Sequence, residues 1–288
     1  MRIYGLDFTS APKKRKPITC AVCWFEDQIL KVETIQRLES FKLFDELLAS
    51  EGPWCMAIDF PFSQPREWIQ AMGWPTPWAS YVELISKMPP EAFYEHIKAY
   101  RTHQPKGKKH HLRAVDKLAK SCSPMMIDYT PVGRMFYHGA PRLLRSGASI
   151  PLLYIRNSDR YIYEGYPALV ARRFVGKQSY KSDDRRKAHC EVRRAARRRI
   201  VDGLKGPELV KVYGFKVDPF SIDEVELIAE PGADQLDSIL CAIQAAWAQS
   251  RWNMDHGFPE VPGMGVTEGW IPDPALLPEG YDFFEQVK

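Results

Sequence analysis

Two short apolar stretches of this sequence each end at an aspartate, and this arrangement constrains the fold more than any other feature. Residues Arg2–Leu6 alternate loosely and lead into Asp7, and the apolar run Trp54–Ile58 leads into Asp59. Runs of this length, bounded by turn residues, are typical of buried strands. A carboxylate at the tip of a central strand loses hydration, so it needs a partner that compensates its charge. The sequence therefore predicts a sheet whose strand ends gather acids.

A further acidic pair opens the best-patterned helix of the chain. Asp234 and Asp237 lie three residues apart, so they face one side of a helix that runs to about Gln249. If this helix packs beside the two strand ends, four carboxylates share one volume and raise one another's pKa unless a cation intervenes. A hard divalent ion such as Mg²⁺ suits oxygen ligands. Aspartates at these positions also cap a helix without any chemistry, and the sequence leaves that alternative open.

The remaining pattern predicts an α/β fold with a mixed sheet flanked by helices. Three strands are expected first, at Arg2–Asp7, Ile18–Glu26 and Ile29–Leu38, with a hairpin between the second and third. A helix within Ser40–Ser50 and the strand ending at Asp59 follow. Because such crossovers are right-handed, the fourth strand is expected beside the first.

The later part of the chain is predicted in less detail. Residues 1–62 and 150–288 are expected to form the core, and residues 63–149, rich in Trp and Pro, a mainly helical insertion or cap. Within the second core segment we expect a hairpin over 151–164, helices over 168–174 and from Ser182 onward, a short strand over 209–215, and a strand or packed edge at 267–271. Trp74 and Trp78 of the insertion are expected to pack on the core, with base stacking as the alternative.

Basic residues are concentrated in two windows of an otherwise acidic chain. The chain has 40 Lys and Arg against 36 Asp and Glu, and residues 101–120 and 172–199 hold 19 of the basic residues but only 4 of the acids. Lys13–Lys16 forms a third basic loop close to Asp7. This segregation is the footprint of a protein that binds the phosphate backbone of nucleic acid, although solvated helix faces are the simpler explanation for any one run. The residues expected to contact phosphates are Lys13, Lys14, Arg15, Lys106, Lys108, Lys109, Arg113, Arg186, Arg193, Arg194 and Arg197.

The sequence predicts a cytoplasmic protein without a membrane span. No window approaches the ~18 uninterrupted apolar residues of a spanning helix. The N-terminus lacks the pattern of a secretory signal. The six cysteines are scattered within apolar patterns, which suits reduced thiols in a cytosol.

Five short motifs resemble those of domain-of-unknown-function family 429, whose members look like predicted nucleases of RNase H-like fold. The motifs occur in the expected order, at both ends of the chain and outside the insertion. They are Gly5-Leu6-Asp7, Ala57-Ile58-Asp59-Phe60-Pro61, Tyr163-Glu164-Gly165-Tyr166-Pro167-Ala168, Asp234-Gln235-Leu236-Asp237-Ser238-Ile239-Leu240-Cys241-Ala242 and Glu268-Gly269-Trp270-Ile271.

The resemblance implies a site layout similar to that of Holliday-junction resolvases, in which acids hold two Mg²⁺ or Mn²⁺ ions. Asp7 would bridge both ions, Asp59 and Asp237 would each bind one, and Asp234 would assist. Glu164 would be an outer metal ligand or would organise the following helix. The position after Asp234 is Gln235, where relatives are expected to carry a second acid, so a metal role is less firmly implied for Asp234.

The expected function is metal-dependent hydrolysis of phosphodiester bonds in DNA or RNA. A nucleic-acid-binding or interaction protein that keeps the fold without turnover is the main alternative. An actin-like ATPase or phosphotransferase also begins with a strand ending in Asp, but its phosphate loops are rich in glycine. Residues Phe8–Pro12 contain none, which makes this second enzyme the weaker alternative.

Overall fold

The computed structural model describes residues 1–182, 190–218, 222–259 and 265–277. Within these residues six strands form one mixed sheet in the order β5-β4-β1-β2-β3-β6. The strands are β1 (Arg2–Asp7), β2 (Ile18–Glu26), β3 (Ile29–Leu38), β4 (Trp54–Asp59), β5 (Arg160–Glu164) and β6 (Lys216–Asp218). Strands β1, β2 and β3 pair antiparallel, and β4, β5 and β6 add in parallel. The antiparallel start followed by parallel strands is as predicted.

Helices cover both faces of the sheet. They are α1 (Phe41–Leu48), α2 (Arg66–Ala71), α3 (Trp78–Ser86), α4 (Pro90–Thr102), α5 (Ala114–Ala119), α6 (Val132–Arg145), α7 (Pro167–Val175), α8 (Glu191–Leu204), α9 (Pro207–Tyr213), α10 (Glu224–Ala229), α11 (Asp234–Ser250) and α12 (Gly265–Glu268). Short 3₁₀ turns lie at Trp252–Gly257 and Pro274–Leu276. No helix in the described ranges has the length and apolar character needed to cross a bilayer.

Alternate side chains of the strands divide the hydrophobic core into two layers. Ile3 of β1 packs in the layer that contains α11, whereas Leu6 of the same strand packs in the layer that contains Trp68 and Phe136 of the helical region. Successive side chains of a strand point to opposite faces, which explains the division. The helices between Arg66 and Arg145 therefore share a core with one face of the sheet, while the domain boundaries remain a prediction.

Helix α11 crosses the centre of the sheet, and glycine permits its close approach. The helix contacts β1, β2 and β4. A Cβ atom at Gly5 would lie 2.0 Å from the carbonyl oxygen of Ser238 and 2.1 Å from the amide nitrogen of Ala242. Since these are backbone atoms, only glycine allows β1 and α11 to sit at this separation. The contact brings the first turn of α11 beside the end of β1.

We expect Gly5→Ala to destabilise the fold and to weaken the site at the end of β1. The added methyl group must push α11 away from the sheet, and overpacking of this kind costs about 1–3 kcal/mol or more. Urea denaturation measures the loss. A variant as stable as the wild-type protein would show that the close approach of helix and strand is not required.

Three secondary-structure predictions are wrong. Residues 209–213 belong to helix α9 (Pro207–Tyr213), because Pro207 at its start and Gly214 just after its end, with φ 83°, favour a helix over the strand suggested by the alternating valines. Residues 151–155 form a turn closed by an Ile150–Tyr154 bridge, not the first strand of a hairpin. Residues 265–268 are helical, although Trp270 and Ile271 are buried as expected. The expected helix start at Ser182 runs into 183–189, outside the described residues.

Candidate metal centre

Three aspartates from separate elements meet at one edge of the sheet. Asp7 and Asp59 are direct partners in the parallel pairing of β1 with β4, and Asp237 lies in the first turns of α11. One carboxylate oxygen of each lies within 4.8 Å of those of the other two. Asp7 and Asp59 are partly buried, and Asp237 is fully buried. The proximity predicted from the sequence for four carboxylates is confirmed for these three, which we call the aspartate cluster.

Asp237 is held by side chains and does not cap its helix. Tyr180 donates a hydrogen bond of 2.6 Å from its hydroxyl to Oδ1 of Asp237, and the Lys181 ammonium group contacts Oδ2. The N-cap position belongs to Ala233, whose φ of 58° is left-handed. The capping alternative therefore does not describe Asp237, because its oxygens are directed at Tyr180 and Lys181.

Lys181 supplies the positive charge nearest to the aspartate cluster. Its side chain is 41% exposed, whereas the Asp237 carboxylate that it contacts is fully buried. Although partial burial alone would lower the pKa of Lys181, the carboxylates of Asp237, Asp7 and Asp59 hold it well above its usual value. Arg193 donates to the backbone carbonyl of Lys181 at 3.2 Å and so fixes the segment. An ammonium group thus occupies the position at Asp237 that a metal ion would compete for.

Burial and neighbouring charges raise the pKa values of the aspartates in the cluster. Burial, joined by the Asp237 and Glu164 carboxylates and opposed by Lys181, raises the pKa of Asp59 to about 7. Burial also raises the pKa of Asp7 well above its usual value, and Asp234, Asp237 and Asp59 add to the rise. Each carboxylate therefore resists ionisation at this place, and a bound divalent cation would relieve both burial and mutual repulsion.

We expect the free energy of unfolding, measured in EDTA, to fall as pH rises from about 4 to 7. Unfolded Asp59 loses its proton near pH 3.9 and folded Asp59 near 7, so the folded state binds more protons in this window. Asp59 contributes at most about 1.4 kcal/mol per pH unit to the slope of the unfolding free energy against pH, and this contribution vanishes above pH 7. Asp59→Asn should flatten the profile, as measured by urea denaturation at several pH values. Identical profiles for the two proteins would contradict the raised pKa.

A cavity of about 420 Å³ opens over the aspartate cluster. Asp7, Asp59 and Asp234 lie on its wall together with Lys16 and Lys181. Asp234 is outside the set of carboxylates within 4.8 Å of one another, but its charge raises the pKa of Asp7. The loop before α6 and the first turn of that helix also line the cavity, through Tyr129–Val132 and Met135. The cavity size lies within the ~300–1,000 Å³ range of small-molecule sites.

A second hollow among the described residues is larger than this cavity but lacks its chemistry. It measures about 760 Å³ and lies beside β6, at the sheet edge far from β5, where Leu204, Pro207 and Val210 line it. Its walls are mainly apolar, with three lysines and Asp218 at the rim. The titratable groups with mutually raised pKa values lie in the smaller cavity, which is therefore the candidate site.

Glu164 is not placed as a metal ligand. Its two oxygens accept hydrogen bonds of 2.7 and 2.5 Å from the Arg113 guanidinium group, and one also accepts from the Phe62 amide at 2.9 Å. Arg113 in turn makes two hydrogen bonds to Asp116, at 3.0 and 2.9 Å. The structure therefore places Glu164 against Arg113 and outside the aspartate cluster. These contacts join the end of β5 to Phe62 and to the residue before α5, and the two roles expected for Glu164 remain predictions.

Two arginines expected at a nucleic-acid surface are buried. Arg113 is 1% exposed and is held by the two acids described above. Arg197 is also 1% exposed, and it donates to the backbone carbonyls of Ile228 and Tyr180, both at 2.8 Å. Neither guanidinium group can reach a phosphate without unfolding. The contribution of Arg197 is to fix Tyr180, which holds Asp237.

Most of the other predicted phosphate contacts lie on the surface. Arg193 is partly buried through its bond to the Lys181 carbonyl, and Arg186 lies outside the described residues. The turn that contains Lys13–Lys16 is closed by two backbone hydrogen bonds, and Lys16 reaches the cavity. The exposed residues of the set predicted to contact phosphates are Lys13, Lys14, Arg15, Lys106, Lys108, Lys109 and Arg194.

Trp78, which the sequence predicted to pack on the core, is buried and donates a hydrogen bond to the Phe62 carbonyl at 2.7 Å, as expected.

Sequence reasoning missed Tyr180 and Lys181, which contact Asp237 of the aspartate cluster. They lie between α7 and α8 in a segment without helix or strand periodicity, so no pattern placed them near the sheet. The sequence signal that covers both residues is the basic window 172–199, which predicts phosphate binding but not a contact with Asp237.

Comparison with known proteins yields no relative. No protein-family model, no curated protein and no solved structure matches this chain significantly.

Proposed function

We propose that this chain is a metal-dependent nuclease of RNase H-like fold that hydrolyses phosphodiester bonds of nucleic acid. The observation that carries the proposal is the meeting of Asp7, Asp59 and Asp237, from two strands and a helix, beside a cavity that Asp7 and Asp59 line together with two lysines. The mixed sheet with its antiparallel start, crossed by the helix that bears Asp237, agrees with the layout implied by the five motifs.

The donor set fits a hard divalent cation. The three carboxylates offer only oxygen atoms, and their separation of no more than 4.8 Å suits one ion bound between them. Asp7, Asp59 and Asp237 would hold Mg²⁺ or Mn²⁺, and Asp234 on the cavity wall would serve the second ion predicted from the sequence. When bound, the metal would supply a polarised phosphoryl group and a water of lowered pKa.

The protein's own residues would bind and orient the substrate. Lys181 and Lys16 line the cavity, so their ammonium groups are placed to hold phosphate oxygens beside the aspartates. The exposed turn at Lys13–Arg15 extends the positive surface beyond the cavity rim. Asp59 and Asp7, deprotonated by the bound cation, would fix where that cation sits relative to the strand ends.

The test is a cleavage assay with labelled single-stranded and duplex DNA and RNA. We expect cleavage in Mn²⁺ or Mg²⁺ and none in EDTA. No cleavage of any of these substrates in either metal would overturn the proposal.

A non-catalytic nucleic-acid-binding protein is the second candidate, and one contact favours it. The Lys181–Asp237 ion pair already compensates part of the negative charge, as it would in a site that has no need of metal. Binding of oligonucleotides that persists in EDTA, without cleavage in Mn²⁺, would favour this candidate.

A further inference from the structure

One aromatic side chain of the described molecule stands uncovered beside the aspartate cluster. Tyr129 is 101% exposed, whereas the exposed Trp24 and Trp252 are 37% and 41% exposed. The Arg2 guanidinium lies over the Trp24 ring at 5.3 Å, and Tyr161 packs edge-on against Trp252 at 4.3 Å. Among the described residues, neither a cation nor a second ring is recorded against Tyr129, and its whole ring faces solvent.

The backbone around Tyr129 is held in place although its side chain is free of cover. Tyr129 has a φ of 58°, in the left-handed region that large side chains rarely adopt. The flanking chain is fixed by hydrogen bonds from the Gly133 amide to the Met126 carbonyl at 2.7 Å and from Arg134 Nε to the Ile127 carbonyl at 2.8 Å. A strained residue on a braced loop is a feature of ligand-contacting positions.

Tyr129 lies between two concave surfaces. It lines the cavity of the aspartate cluster, and it also lines a shallow hollow of about 590 Å³ formed with Ile127, Pro131 and Arg134. A nucleic-acid strand that runs from the cavity into this hollow would cross the loop that carries Tyr129 and Pro131.

The charges near Tyr129 suit a polyanion. Asp128 precedes it, but Arg101 lies 3.5 Å from the Asp128 carboxylate. The charges of Arg101, Asp128 and Lys109 act on the His110 ring, so Lys109 lies in the same neighbourhood as Asp128. The neighbourhood thus combines an exposed ring with several cations, the combination that binds single-stranded nucleic acid.

We infer that Tyr129 stacks on an unpaired base, so that the site takes single-stranded nucleic acid rather than intact duplex. In a duplex both faces of each base are covered by neighbouring bases, and a tyrosine ring has no face to contact. An unpaired base offers its ring, and such stacking tolerates any sequence. This inference rests on the proposed function, because it assigns the substrate class of the same cavity.

Fluorescence anisotropy in EDTA tests the inference without turnover. The probes are labelled oligothymidine, labelled oligouridine and the same oligothymidine annealed to its complement. We expect the wild-type protein to bind the single strands more tightly than the duplex, with Tyr129→Ala weakening single-strand binding about tenfold. Tyr129→Phe, which keeps the ring, should bind like the wild-type protein. Tyr129→Leu, which keeps bulk without a ring, should behave like the alanine variant.

Controls separate this inference from the proposed function. Ile155→Ala removes another exposed apolar side chain, one that does not line the cavity, and should leave binding unchanged. Equal affinity of wild-type protein and Tyr129→Ala, or a preference for duplex, would overturn the inference even if Mn²⁺-dependent cleavage is found. Ring-dependent binding of single strands without cleavage would support the inference while refuting the nuclease.

Discussion

Replacing Asp7 with asparagine is expected to reduce Mn²⁺-dependent cleavage by about a hundredfold to ten-thousandfold. Metal-ion stabilisation of a phosphoryl transition state is worth several kcal/mol, and each ~1.4 kcal/mol is a tenfold change in rate. Asp7 is paired with Asp59 in the sheet, and one of its carboxylate oxygens lies within 4.8 Å of oxygens of Asp59 and Asp237. Its replacement should therefore remove one of the three carboxylates proposed to bind the metal ion.

The same variant should remain folded in EDTA. Because burial and neighbouring carboxylates raise the pKa of Asp7, a neutral amide at this position removes repulsion and should hold or raise the melting temperature. Addition of Mn²⁺ should stabilise the wild-type protein but not Asp7→Asn. Cleavage by Asp7→Asn at the wild-type rate would refute the assigned role.

Asp273 offers a matched control for the metal response. It is buried, and burial raises its pKa, but its oxygens accept from Gln244 and Tyr213 and it is outside the aspartate cluster. Asp273→Asn should keep the Mn²⁺-induced rise in melting temperature. A loss of that rise would indicate a general effect of removing buried acids.

Replacing Arg113 with methionine is expected to destabilise the protein by about 3–5 kcal/mol. Arg113 is 1% exposed and Glu164 4% exposed, and the change leaves Glu164 and Asp116 buried without their counter-charge. The arginine also donates to the Glu268 carbonyl at 3.2 Å, so the loop after β4, helix α5 and the chain near α12 all depend on it. Chemical denaturation measures the loss.

Two further variants keep this prediction testable if Arg113→Met does not fold. Lys117→Met changes an exposed residue of the same helix and should alter stability by less than about 0.5 kcal/mol. Glu164→Gln should destabilise the fold while preserving the Mn²⁺ response, since Glu164 pairs with Arg113 and not with the cluster. Arg113→Met as stable as Lys117→Met would contradict the structural role of the buried network.

The meeting of the aspartates could be predicted because it depends on local patterns and sheet topology. Strands ending at Asp7 and Asp59 must lie side by side once a right-handed crossover joins them. The periodicity of α11 identified the face that meets the sheet. The distance between β1 and α11 is set by Gly5, because its lack of a side chain lets the helix backbone approach the strand.

The rest of the site depends on tertiary contacts that leave no pattern in the sequence. Lys181 and Tyr180 come from an aperiodic segment, and a run of basic residues does not reveal that Arg197 is buried while Arg194 is exposed. Helix α6 lies in the segment 63–149 predicted to be mainly helical, but its bounds could not be predicted because Gly133, Gly139 and Pro141 interrupt the pattern. Gly139 packs where a Cβ would lie 2.4 Å from the Phe60 ring. Burial and close packing, rather than propensity, decide these elements.

The most direct test is a crystal of the wild-type protein soaked in Mn²⁺ and measured at a wavelength where manganese scatters anomalously. We expect an anomalous peak bonded to Asp7, Asp59 and Asp237, with the Lys181 ammonium group displaced from Asp237. A map without a peak at these carboxylates, in which Lys181 still contacts Asp237, would contradict a metal centre at this edge of the sheet.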